Sequence, residues 1–315
     1  MDVKGSTEGE VVRTAPWVWG QHVAIAAAYG VIYQVALYVS FPQFLLTTGL
    51  RLACLLLLPM RYWPAIAIGE GLPLAENAVL CADRFGIPWA ILASFPTVAL
   101  WMPLLKPIRK RWPLFDPDGR LRMPMILVAT LGASMITAAI TTLTLQAALL
   151  HSPGKWPELS PVDFFFAYVL GAYLGALTLT PVILALHERV RALGDAPLSL
   201  SVIWRSALFR DVFWWVFPAL TCMAWLAATT HDDTLRQLAR LALLWPVLGL
   251  AWRHGWHGTA VGGMGASLAL AFTAKGLLDP ATIQVQVILA LALSGTLLVG
   301  ARKQTLRAEA RPERS

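Results

Sequence analysis

The stretch Thr48–Glu76, TGLRLACLLLLPMRYWPAIAIGEGLPLAE, decides how this chain is read. Two apolar segments flank the short turn Pro59-Met60-Arg61-Tyr62-Trp63-Pro64, and each is long enough to cross most of a bilayer. Each also carries charge within it: Arg51 in the first, Glu70 and Glu76 in the second. An ionisable group inside a membrane span is costly and needs a partner or a purpose. The short turn makes the two segments antiparallel neighbours. Arg51 precedes Pro59 by eight residues and Glu70 follows Tyr62 by eight. At the rise of an α-helix both lie about 12 Å from the turn end. Equal depth on adjacent helices predicts an Arg51–Glu70 ion pair. Glu76 falls about 9 Å further out, where an outward-open cavity would suit it.

The rest of the 315 residues fits a membrane protein. Apolar residues make up 57% and charged residues 14%, with a mean hydropathy of +0.62. That leaves too little polar surface to cover a water-soluble core. Runs of roughly 17–25 apolar residues read as spans. Ten are expected, near 22–41, 44–60, 63–82, 88–106, 123–150, 164–186, 211–230, 237–252, 258–277 and 283–301. The runs at 44–60 and 237–252 are short, so eight to ten crossings are open. The expected fold is all-α, a polytopic transmembrane helix bundle. The first twenty residues hold no apolar stretch followed by a cleavage site, so the first span is expected to be retained.

The formal charge of +7 invites a nucleic-acid reading. The basic residues instead cluster between spans. If the N-terminus is cytoplasmic, nineteen of the 25 Lys and Arg fall on cytoplasmic segments, chiefly 106–122, 189–210 and the tail. Arg84, Lys155, Arg236, Arg240 and Lys275 lie at the outer ends. This asymmetry predicts cytoplasmic N- and C-termini, and no nucleic-acid partner is expected. Trp17, Trp19, Trp63, Trp112, Trp156, Trp204 and Trp256 lie near predicted interfaces, as in an aromatic belt.

Other polar features are open to two readings. Thr130, Ser134, Thr137, Thr141 and Thr144 recur at spacings of 4, 3, 4 and 3 and share one helix face. Thr137 and Thr141 could line a cavity, or the face could be a small-residue helix contact, which is the commoner use. Arg51, Glu70 and Glu76 could form a polar pocket for a ligand, ion or proton; Arg51 and Glu70 could equally be a helix clamp. Gly171-xxx-Gly175 and Gly258-xxx-Gly262 have helix-packing spacing. Cys54, Cys81 and Cys222 are too far apart for a metal or redox motif and read as packing residues. His254 and His257 lack carboxylate or Cys partners in sequence, so no metal site is expected. There is no HExxH, GxSxG, Walker or GxGxxG motif, so neither catalytic residues nor a cofactor are assigned.

Several segments resemble one family. Thr48-Gly49-Leu50-Arg51, Arg61-Tyr62-Trp63-Pro64 and Gly69-Glu70 are similar to the second and third spans of MASE1 domains. Gly171-Ala-Tyr-Leu-Gly175 with Thr180-Pro181, Trp245-Pro246 through Gly262-Gly263, and Gln284 to Arg302 resemble later MASE1 segments. The likeness covers roughly residues 20–305. In many members an acidic residue is expected within the Gly171–Gly175 segment; here position 172 is Ala172.

The resemblance implies a sensory input module of the bacterial inner membrane, embedded in the lipid bilayer. Its partner would be a histidine kinase, or a diguanylate cyclase or phosphodiesterase of cyclic-di-GMP signalling; a homodimer would suit that class. The expected layout is a short cytoplasmic segment 1–20, a transmembrane sensory domain 21–302 and a basic tail 303–315. Residues 301–310 would prolong the last span as a helix before Pro312. The tail has no room for an output domain. The module would therefore act through a partner, or form the membrane part of a longer receptor. Two alternatives share the composition. One is a small-solute or proton-coupled transporter. The other is a membrane scaffold that senses nothing.

Overall fold

A computed structural model describes residues 15–117, 119–151, 160–193, 204, 206–274, 276 and 278–309. Among these residues the secondary structure is helical, apart from two isolated β-bridges, Phe41 with Phe44 and Phe115 with Leu121. The helices are α1 (Ala15–Tyr38), α2 (Leu46–Leu57), α3 (Trp63–Phe85), α4 (Ile87–Ser94), α5 (Thr97–Arg111), α6 (Met123–His151) and α7 (Pro161–Leu193). They continue with α8 (Ala207–Thr229), α9 (Asp233–Ala242), α10 (Leu244–His254), α11 (Trp256–Thr273) and α12 (Pro280–Glu309).

Among the described residues, five helical segments are long and apolar enough to cross a membrane: Met60–Phe85, Met123–His151, Pro161–Arg191, Ala207–Thr229 and Pro280–Lys303. A sixth arises if α4 and α5 form one span, bent by 41°. The bend lies at Phe95-Pro96, where proline has no N–H for the helix ladder. The two short runs of the sequence do not form full-length spans. The run at 44–60 becomes α2, with 12 residues, about 18 Å against a hydrocarbon core of about 30 Å. Pro59 stops it. The run at 237–252 is divided at Leu243 into α9 and α10. Within α8, residues Val212–Val216 form a π-helical turn.

The short α2 sits at the centre of the packing. It touches α1, α5, α6 and α7, and ten of its residues are buried. Its contact with α7 depends on the paired glycines. A Cβ on Gly175 would fall on the Leu45 carbonyl. Thr180 Oγ1 donates to the Gly49 carbonyl at 3.0 Å, and Leu45 N–H donates to the Gly171 carbonyl at 3.1 Å. The Gly171-xxx-Gly175 spacing therefore brings two backbones together, as small residues do in bilayers. Arg109 of α5 closes the other end of α2. Its Nη1 donates to the carbonyls of Leu55 at 2.8 Å and Leu58 at 2.6 Å, two acceptors without helical donors.

Contacts between connections sort into two ends of the bundle. At one end His22 Nε2 meets the Arg61 carbonyl, Arg109 meets Leu58, Arg189 meets Ser206, and Asp211 meets Arg253 and His254. At the other, Gln43 Nε2 donates to the Gly276 carbonyl, Gln286 Nε2 donates to the Gln43 carbonyl, and Arg240 bonds the Thr273 carbonyl and Asp279. The core between them includes Leu52, Leu55, Leu56, Ile66, Trp101, Leu105, Met123 and Ile126.

Candidate functional site

Four helices converge on Arg51 and Glu70. α2 carries Arg51, α3 carries Glu70, α1 carries Tyr29 and Tyr33, and α5 brings Val98 and Trp101. Arg51 Nε donates to Glu70 Oε2 at 2.9 Å, and Arg51 Nη2 donates to Tyr33 Oη at 3.0 Å. Tyr29 Oη donates to the same Glu70 Oε2 at 3.2 Å. The backbone N–H of Val98 donates to Glu70 Oε1 at 3.3 Å. The guanidinium also lies 5.3 Å from the Tyr33 ring centre and 5.8 Å from that of Trp101. Glu70 is wholly buried and Arg51 is 5% exposed.

Local structure explains the convergence. Tyr29 and Tyr33 are four apart on α1, so they stand one above the other on one face, with ring centres 6.0 Å apart. The broken span α4–α5 starts anew at Thr97, which leaves the Val98 N–H in the first turn without a helical acceptor. Glu70 supplies that acceptor. Each carboxylate oxygen is thus engaged, and the positive charge faces both a carboxylate and two aromatic rings. A buried ion pair offsets its desolvation only when its remaining hydrogen-bonding groups are satisfied. The arrangement is that of a clamp between α1, α2, α3 and α5.

The other sequence-selected residues lie elsewhere. Glu76 is exposed and lines a groove of about 1150 Å³ between α1 and α3, on the outside of the bundle rather than in an outward-open cavity. Thr137 Oγ1 donates to the Ala133 carbonyl at 2.9 Å and Thr141 Oγ1 to the Thr137 carbonyl at 2.9 Å. Ser134 and Thr144 bond back in the same way. These four hydroxyls spend their protons on the helix's own backbone, the Thr130 hydroxyl is buried without a hydrogen bond, and no hydrogen bond joins the stripe to the Arg51 cluster among the described residues. No group of three or more His, Cys, Asp or Glu fit to hold a metal occurs among the described residues. His254 and His257 pair instead with Asp211 at 2.9 Å and Glu188 at 3.2 Å.

Reading the sequence missed the aromatic half of the clamp. The four-residue spacing of Tyr29 and Tyr33 was the available signal; Trp101 and the Val98 N–H had none, since their place depends on the break at Pro96. It also missed a second buried cation. Arg240 of α9 is 1% exposed, and it bonds the Thr273 carbonyl and, at 3.3 Å, Asp279 Oδ2. Asp279 also accepts from Thr282 Oγ1 at 2.6 Å and from the Ala281 N–H at 3.2 Å. Partial burial pushes the Asp279 carboxyl up, but the bonds from Thr282, Arg240 and Ala281 outweigh it and hold the group below the usual carboxylate range.

Among the described residues, several helices are long and apolar enough to cross a membrane, and a buried charged clamp ties four helices together. Residues 21–305 match the MASE1 family, and the chain belongs to that family of membrane sensory domains. It is similar to the signal transduction histidine-protein kinase/phosphatase UhpB of Salmonella typhimurium, with 26% identity over 294 residues. That alignment takes in 90% of this chain and 52% of UhpB, so the chain spans about half the length of this curated relative. No solved structure matches the chain.

Proposed function

We propose that this chain is the input module of a signalling system in the bacterial inner membrane. A ligand or a membrane state biases two packings of the bundle, and α12 carries the difference to a cytoplasmic output domain or partner. A histidine kinase fits that role, given the likeness to UhpB. The observation that carries the reading is the continuity of α12. Its 30 residues, Pro280–Glu309, span about 45 Å, well beyond a hydrocarbon core of about 30 Å. A helix that begins in the bundle and leaves the membrane unbroken transmits rotation or translation at its far end.

The two-ended sorting of contacts supports alternating passes of the chain with both termini cytoplasmic. Lys106, Arg109, Lys110, Arg111, Arg120, Arg122, Arg189, Arg210, Arg253, Arg302 and Lys303 lie on segments gathered at the end that holds Arg61. Such a concentration marks the cytoplasmic side. On this reading α2 is a short central pass, and the broken pairs α4–α5 and α9–α10 are one pass each. The clamp is the pivot of the bundle rather than a binding site, because its charges are already paired.

The test is output in cells from a receptor that carries this module. Arg51→Ala, compared with the parent at matched membrane levels, is expected to shift basal signalling several-fold. Signalling unchanged at matched membrane levels, both for this variant and for one lacking residues 304–309, would sink the proposal.

A further inference from the structure

The groove between α1 and α3 is the largest cavity described above, and the one carboxylate in its lining, Glu76, shares it with no lysine or arginine. Its walls are apolar: Val23, Val31, Ile68 and Leu72 line it, and Leu72 is 68% exposed. These side chains face the surface that the bilayer covers. Glu76 stands in this wall about 20 Å from the start of α3 and about 14 Å from its end, deep within the span Met60–Phe85. It has no hydrogen bond or ion pair among the described residues. Gln34 lines the same groove and is likewise exposed and unpaired among the described residues. Below them, Pro73 deprives the Gly69 carbonyl of its helical donor, and both residues belong to the lining. No Lys or Arg is among the lining residues; His22, at the cytoplasmic end, is held to the Arg61 carbonyl.

An unpaired carboxylate at this depth is expensive unless a cation or a proton joins it. Here an amide lines the same groove, and the Gly69 carbonyl that Pro73 leaves without a helical donor lies about two turns away. The groove therefore offers acceptors and negative charge to whatever enters from the bilayer. We propose that it binds a lipophilic cation, an amphiphile with a protonated amine, whose chain lies along the apolar walls and whose ammonium donates to Glu76 and Gln34. An anionic amphiphile, such as a fatty acid, would meet the like charge of Glu76 at that level, with only the neutral Gln34 amide to donate to it.

The same groove is placed to work the clamp, and this step rests on the sensory reading above. Its floor is the crossing of Gly30 and Gly69, where a Cβ on Gly69 would fall on the Ala26 carbonyl. Their chain neighbours, Tyr29 and Glu70, point the other way and bond each other at 3.2 Å. An occupant that parts α1 from α3 at the crossing stretches that bond and the Arg51 contacts behind it. Cation binding thus shifts the bundle between packings by differential contact.

The experiment uses the full chain in phosphatidylcholine nanodiscs with two photoreactive probes, hexadecylamine and hexadecanoate, each with a diazirine in the chain. Cross-links from the amine are expected within residues 23–34 and 68–76, about tenfold stronger than from the carboxylate, as a charge-assisted bond implies. Glu76→Gln, which breaks no internal bond, is expected to lower amine labelling about tenfold. Leu72→Trp, filling the groove while leaving Glu76 in place, is expected to abolish it. Equal labelling by the two probes, or amine labelling indifferent to Glu76→Gln, would overturn the proposal. So would a groove closed by a second copy, seen as cross-links between chains that exclude the amine. Binding is read without any signalling output. Its loss beside intact signalling refutes the ligand alone, and its presence beside signalling that ignores both variants refutes the sensory reading alone.

Discussion

Arg51 and Glu70 show how far single side chains carry the account. Their spacing from the turn at Pro59–Tyr62 predicts equal depth, and the structure brings them to 2.9 Å. Whether such a pair stabilises depends on what else it bonds, and that lay outside the hairpin, on α1 and α5. Breaking a buried pair by removing one partner costs about 3–5 kcal/mol, whereas replacing both with apolar groups costs far less. Arg51→Ala should therefore lose about that much stability in detergent, measured as resistance to thermal or denaturant unfolding. The double change Arg51→Met with Glu70→Leu should recover most of it. Tyr33→Phe, which removes one hydrogen bond to the guanidinium, should cost about 1.5–3 kcal/mol. Glu76 was legible as a charge without a partner; the groove it faces was not, because that needed the crossing angle of α1 and α3.

Helices divide into those the sequence announces and those that neighbours define. The long apolar runs of α3, α6, α7 and α12 are plain from composition, since each approaches or exceeds the thickness of a bilayer. The shorter run around Arg51 looked nearly long enough, but Pro59 and the irregular residues before Leu46 trim it to 12. It persists because Gly49 and Gly175 let α7 approach and Arg109 binds its final carbonyls. Gly175→Val should cost roughly 1–3 kcal/mol or more, as overpacking does, while the same change at Gly295, which has open space for a Cβ, should be nearly silent in the same unfolding assay. At the opposite end, the α9–α11–α12 tie depends on ionised Asp279. Its carboxyl is held below the usual range. The tie's contribution is therefore complete above the ordinary carboxylate value of about 4 and fades only as pH falls through the lower folded value. Acidification to about pH 5 should leave hydrogen-exchange protection of residues 280–286 unchanged. Asp279→Asn should reduce it at every pH.

Across the bundle, what was legible was the class: a helical membrane domain, its basic side and its MASE1 likeness, the last resting on motifs such as Arg51, Gly69-Glu70 and Gly171–Gly175. What was not legible was which passes are whole. Breaks at Pro96 and Leu243 depend on how α5 and α10 pack, and the residues around the second, Leu241, Leu243, Leu244 and Trp245, are themselves apolar. The packing also changes the functional emphasis, since Arg51 and Glu70 pair inside the bundle while Glu76 lies exposed in the outer groove between α1 and α3. If α12 relays the state of that bundle, its rotational phase must matter. The decisive measurement is autophosphorylation of a chimera in nanodiscs with a histidine kinase domain joined after Glu309. One alanine inserted after Lys303 turns the downstream helix by about 100°, and seven restore the face to within about 20°. The account predicts kinase activity changed several-fold by the single insertion and returned to near the starting level by seven. Activity that is the same for zero, one and seven inserted residues would contradict it.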